Sequence, residues 1–135
     1  MAERLQPDVI LSVGQAGGRS GVTPERIGIN MNSATICDNT GNQPVEQRIL
    51  PEGPDGIFSP LPVADMARAI RDAGVKGWVS DSAGTFVCND VLYRVLTAGW
   101  RAGFIHVPWL PEQGEPNLPL ASSVQGLIAA IEALK

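Results

Sequence analysis

Val9-Ile10-Leu11-Ser12-Val13-Gly14 is a short, nearly continuous apolar run stopped by glycine. Such a run reads as a strand buried on both faces, the kind found in parallel sheets. Gly14 to Gly21 then holds four glycines, so the chain turns tightly there or lets a neighbour approach its backbone. Ala102-Gly103-Phe104-Ile105-His106-Val107, ended by Pro108, is another good strand. Arg26-Ile27-Gly28-Ile29-Asn30 and Gly77-Trp78-Val79-Ser80 read as shorter ones. Helical spacing fills the gaps. Val63, Met66, Ala67 and Ile70 predict one helical face over 63–73, with Gly74 as its cap. Val87, Val91, Leu92 and Val95 mark a second helix, and Leu120, Val124, Leu127, Ile128 and Ile131 a closing one within 118–134. The stretch 32–62, rich in Asn, Gly and Pro, reads as a long irregular connection. Strands alternating with helices indicate a single α/β domain over 1–135, its helices packed on a mostly parallel sheet. Three or four strands make that sheet thin, so a part of it is expected to be missing or supplied by another chain.

Composition limits what such a domain does. At 135 residues, 44% apolar and 18% charged, the chain suffices for one core and does not read as disordered. A net charge of −4, with no two Lys or Arg adjacent, excludes the basic stripe that tracks a nucleic-acid backbone. No run approaches the roughly 18–20 apolar residues that cross a bilayer, and the opening residues lack a signal-peptide pattern. Two cysteines, Cys37 and Cys88, form neither a disulfide framework nor a metal or redox pair by spacing. A reducing, cytoplasmic setting is expected, with no metal, cofactor, membrane or nucleic-acid partner.

Three residues carry possible chemistry. Cys88 falls near the start of the second helix, where unpaired N–H groups and the positive dipole end favour a thiolate and suit an oxyanion. On position alone a small buried hydrophobe is the commoner role of such a cysteine. His106, the only histidine, ends a strand, at the side of a sheet where α/β proteins bind ligands. It is a candidate general base or a structural imidazole. Glu25, after Thr23-Pro24, is a candidate orienting acid, a partner of Arg26 or a dipole-complementing residue at a turn. Together they would make a nucleophile, base and acid. Spacing alone does not bring them together.

The sequence around all three resembles pyroglutamyl peptidase I. Gly14-Gln15-Ala16-Gly17-Gly18-Arg19 through Thr23-Pro24-Glu25-Arg26-Ile27-Gly28-Ile29-Asn30 is similar to that family's glutamate signature. Ser82-Ala83-Gly84-Thr85-Phe86-Val87-Cys88-Asn89 is similar to its cysteine signature, and Arg101 to Pro108 with Leu110-Pro111-Glu112-Gln113 to its histidine segment. The resemblance implies a three-layer α/β/α sandwich of the phosphorylase/hydrolase-like kind, with a mixed sheet, usually assembled as a homotetramer. It implies a cysteine-type omega peptidase that removes amino-terminal pyroglutamyl residues through an acyl-enzyme. Cys88 would be the nucleophile, His106 the base and then acid, and Glu25 the orienting residue. Gln15, Ile36, Phe86 and Val87 would line the pyroglutamyl pocket.

Two departures bear on activity. The family's first strand and its aromatic, glycine-containing loop lie upstream of anything matched here, and Ala2-Glu3-Arg4-Leu5 resembles the tail of a family helix. An unpaired sheet edge and exposed apolar surface are the expected consequence. Thr35, in Ala34-Thr35-Ile36-Cys37, stands where the family has an arginine associated with oxyanion stabilisation. The helix after Cys88 is also short for the family. A catalytically inactive homologue that binds lactam-capped peptides, or serves as an assembly subunit, is the alternative reading.

Overall fold

The computed structural model describes residues 2–135; Met1, counted in the expected 1–135 domain, lies outside them. A short helix, α1 (Ala2–Leu5), precedes β1 (Ile10–Gln15). The central strand is β5 (Ala102–Val107), flanked by β1 in parallel and by β2 (Thr23–Pro24) antiparallel. The sheet is therefore mixed. Beyond β2, the 77–80 segment makes only isolated parallel bridges, Val22 with Gly77 and Glu25 with Ser80. The strand expected there does not form a continuous ladder. The carbonyl of Pro24 accepts from the Ser80 amide at 2.9 Å, but proline has no N–H to give back, so the ladder is interrupted. A second pair, β3 (Ile27–Ile29) with β4 (Gly56–Phe58), is antiparallel. β4 lies inside the stretch expected to be irregular; three residues between Asp55 and Ser59 are too few to show a strand pattern.

The pleat of β5 sorts its side chains between two cores. Ala102 and Phe104 pack with Ala83, Leu92 and Leu96 on one face, joined by Ile10 and Trp100. Ile105 packs on the other with Val22, Val63, Met66, Ile70 and Ala130, joined by Leu11 and Val107. α3 (Cys88–Thr97) covers the first face, and α2 (Val63–Asp72) with α4 (Leu120–Glu132) the second. Two helical layers around one sheet make the α/β/α sandwich.

α2 buries the four residues its spacing marks, and Gly74, at φ +80°, closes it by donating to the Arg71 carbonyl. The other two helices turn differently from expectation. α3 buries Asn89, Leu92, Tyr93 and Leu96, whereas Val87 and Val91 are exposed. Asn89 can go inside because its amide accepts from the Ile29 amide and donates to the Ile29 and Met31 carbonyls; Tyr93 donates to the Pro54 carbonyl at 2.6 Å. Polar groups with partners are buried without the cost of an orphan, and a count of aliphatics overlooks them. α4 turns Ser123, Gly126 and Ala130 inward and leaves Leu120, Val124, Ile128 and Ile131 exposed. A Cβ on Gly126 would stand 3.0 Å from Val22 Cγ2, so small residues let α4 sit close against the core. β1 is not buried on both faces. It is the edge of its sheet among the described residues, with Val13 half-exposed, in keeping with the unpaired edge expected from the sequence.

Candidate active site

The strand registers bring the three candidate residues to one place. Antiparallel β2 sets Thr23 opposite His106, and the Glu25 amide donates to the Phe104 carbonyl at 2.8 Å. Glu25 is thus the diagonal neighbour of His106 on the face that α3 covers. His106 is buried, and its Nδ1 lies 2.7 Å from Oε1 of fully buried Glu25. Parallel β1 sets Gly14 opposite His106. A Cβ on Gly14 would fall 2.8 Å from Phe104 Cζ and 3.2 Å from Cys88 Sγ. The bare backbone there gives the thiol its space. Cys88 itself is half-buried at the first turn of α3, and Asn89, clamped to the backbone around β3, anchors that turn. The Phe104 ring lies 4.8 Å from the imidazole, centroid to centroid, and walls its inner side.

Burial by itself pushes the imidazole down and is the largest single influence on it. The nearby Cys88 and Glu25, the latter in hydrogen-bond contact with Nδ1, outweigh that effect and hold His106 above its ordinary value of 6.5. With Nδ1 engaged by Glu25, Nε2 is the nitrogen left for proton exchange.

The four residues expected to line a pocket are only partly gathered. Phe86 and Val87 directly precede α3, and Ile36 follows a segment tied to theirs: the Ser33 amide donates to the Thr85 carbonyl, and the Thr85 hydroxyl to the Ser33 carbonyl. Ile36 and Val87 are exposed, so this side is an open shelf rather than an enclosed slot. Gln15 ends β1, one residue beyond Gly14, and donates to Gln113 Oε1 at 2.6 Å. Thr35 is exposed in the same loop as Ile36. A cleft of about 570 Å³ lined by Leu50, Pro51, Pro54, Ile57 and Thr97 touches none of the three candidate catalytic residues.

Arg19, Thr23 and Asn89 were not given roles by sequence reading, and Gly14 was marked only as part of a glycine-rich turn. Arg19 Nη1 donates to Glu25 Oε1 at 2.7 Å and to Thr23 Oγ1 at 2.6 Å. The one available signal was that Arg19, Thr23 and Glu25 share a short glycine-rich stretch. The Gly14 contact yields a prediction: Gly14→Ala should slow iodoacetamide labelling of Cys88 about tenfold, by crowding Sγ and Phe104 at a typical overpacking cost of about 1–3 kcal/mol. Peptide mapping of the alkylated protein measures this, and an unchanged rate would show the thiol free to move aside.

The fold is that of solved α/β peptidases. Pyroglutamyl peptidase I from Bacillus amyloliquefaciens superposes with a TM-score of 0.92 at 40% identity, over 98% of this chain and 68% of that one. Pyrrolidone carboxyl peptidase from Thermococcus litoralis superposes with a TM-score of 0.95 at 32% identity, over the same shares. The family model for pyroglutamyl peptidase matches residues 1–135. The chain belongs to the pyroglutamyl peptidase family, a family of cysteine peptidases. It is similar to the pyrrolidone-carboxylate peptidases of Levilactobacillus brevis, at 54% identity over 96% of this chain and 69% of that protein, and of Clostridium perfringens, at 48% over 98% and 67%. It spans about two thirds of the length of these relatives. Among the described residues, no helix is long and apolar enough to cross a membrane.

Proposed function

We propose that this chain hydrolyses the amino-terminal pyroglutamyl residue of peptides, with Cys88 as nucleophile, His106 as general base and acid, and Glu25 as orienting carboxylate. The observation that carries the reading is the 2.7 Å contact of the buried His106 Nδ1 with Glu25, which leaves Nε2 for the Cys88 thiol. His106 takes the thiol proton as Sγ attacks the carbonyl carbon next to the lactam ring. The carbonyl electron pair moves onto oxygen and returns as the C–N bond breaks, and His106 protonates the leaving amine. The product is a thioester. Water, deprotonated by His106, attacks the thioester carbon, and the expelled sulfur takes back the proton. Thr35 carries no charge for the oxyanion, so the amide of Cys88 and the positive end of α3 are left to stabilise it.

A lactam ring is compact, uncharged and apolar on its faces, which suits Phe86, Val87 and Ile36 with Gln15 as a polar contact. The exposed stripe Leu120, Val124, Ile128 and Ile131 on α4 supports contact between copies of the chain. Light scattering should then report an oligomer, and a stable monomer would overturn this point. Free thiols at Cys37 and Cys88 support a cytoplasmic setting.

The test of the activity is release of a fluorogenic amine from its pyroglutamyl amide by the purified chain. Labelling supplies a second readout. Cys37 is exposed and Cys88 only half-buried, so exposure alone favours Cys37, whereas an activated nucleophile makes Cys88 react first and stops turnover as it does. Folded protein that binds a pyroglutamyl peptide and releases nothing would replace this reading with that of a binding or assembly subunit.

A further inference from the structure

Arg19 stands behind the imidazole–carboxylate pair and belongs to neither partner. Its side chain is mostly shielded, and it reaches three partners on two segments. Nη1 donates to Glu25 Oε1 at 2.7 Å and to Thr23 Oγ1 at 2.6 Å, and Nη2 donates to the Ser82 carbonyl at 2.9 Å. The strongest pairing open to an arginine beside a carboxylate is a two-pronged fork on both oxygens. Arg19 does not take it. Oε1 accepts from both Arg19 and His106, while the buried Oε2 has no hydrogen-bond partner among the described residues. The second prong goes instead to the loop that leads into Cys88. That loop is braced from below as well, because the Ser80 hydroxyl donates to the same Ser82 carbonyl at 3.1 Å.

We propose that Arg19 is a positioning residue: it fixes the Glu25 carboxylate against His106 Nδ1 and ties this pair to the loop that presents Cys88. The inference rests on the reading of Cys88, His106 and Glu25 as the reacting group. A positive charge on the far side of Glu25 also opposes part of the field that the carboxylate exerts on the imidazole. The titratable and charged groups around that imidazole are few. The segment after β2 presents Glu25, α3 presents Cys88, and the glycine-rich turn presents Arg19 through Glu25. β1 presents Gly14 and no charged residue, and Arg26 is paired with Asp81 at the surface.

His106 is the only histidine, so the imidazole ¹H–¹⁵N signals of the whole chain report this one ring. Their pH titration is to be recorded for the unmodified chain, Arg19→Met and Arg19→Lys, alongside kcat and KM on a pyroglutamyl amide. In Arg19→Met the carboxylate is no longer held against Nδ1, so the titration should move downward, and kcat should fall about tenfold or more with KM little changed. Arg19→Lys, which keeps the charge but cannot reach all three partners, should titrate near the unmodified chain and recover part of kcat. A folded Arg19→Met with an unmoved titration, or with the upward move that loss of the charge alone would give, would overturn the proposal. Should Arg19→Met not fold, Arg19→Lys decides: a titration displaced from that of the unmodified chain would overturn it, and one held in place with reduced kcat would support it. If none of the three forms releases product but the titrations shift as stated, the positioning role stands and the peptidase reading falls.

Discussion

Replacing Cys88 by alanine is expected to lower turnover of a pyroglutamyl amide by at least about four orders of magnitude, with the fold intact. Removing the nucleophile of a group that acts as a unit costs about as much as removing the whole group. The thiol is small, half-buried and set at the first turn of α3, where alanine is well tolerated. Asn89, which anchors that turn, is untouched. Active-site titration and circular dichroism on the two forms give the measurement. Residual activity within tenfold of the unmodified chain would show that another group attacks the carbonyl, since Cys37 lies in the exposed 35–37 segment and has no imidazole assigned to it. Binding of a pyroglutamyl peptide should survive the change, because the shelf of Phe86, Val87 and Ile36 does not include the sulfur.

Glu25→Gln is expected to cost about a hundredfold in kcat/KM, and the geometry says why the loss is smaller than for the nucleophile. Both Arg19 and His106 donate to a single oxygen, Oε1. An amide oxygen can take that place, so the imidazole keeps its tautomer and only the negative charge goes. The charge is what favours the imidazolium formed when the thiol gives up its proton. The pH dependence follows with a definite sign. His106 is held above its ordinary value of 6.5, so the folded chain binds this proton more readily than the unfolded one. The resulting stabilisation is fully present below pH 6.5 and is lost as pH rises through the raised folded value. In Glu25→Gln the charge of Glu25 disappears while burial still pushes the imidazole down, so the titration should move downward and this gain on acidification should shrink. Denaturant unfolding of both forms at about pH 9 and about pH 6 tests it, reading pH 6 against pH 9 within each form. Equal gains in the two forms would show that Glu25 exerts no field on the ring.

Much of this molecule was legible in its sequence where the signal is local. The largely apolar run of Ala102–Val107 marked a strand, which is the central one, and α2 buries the four residues that its spacing named. The motifs around Glu25, Cys88 and His106 pointed to the family that the comparisons establish. Orientation was less legible. Most of the larger aliphatics of α4, Leu127 excepted, lie outside because Gly126 and Ala130 allow a closer approach than leucine would, and α3 turns on the satisfied polar groups of Asn89 and Tyr93.

The sequence by itself determined which segments are strands and helices over most of the chain, and which residue types are present to react. Spacing along the chain is enough for that, because periodicity is a property of neighbours. Only the tertiary structure decided that antiparallel β2 sets Glu25 beside His106, that Gly14 makes room for Cys88, and that Arg19 reaches Glu25 and Ser82 together. Those contacts join residues up to 81 positions apart. They depend on strand register, and register is set by the packing of the whole sheet against its helices.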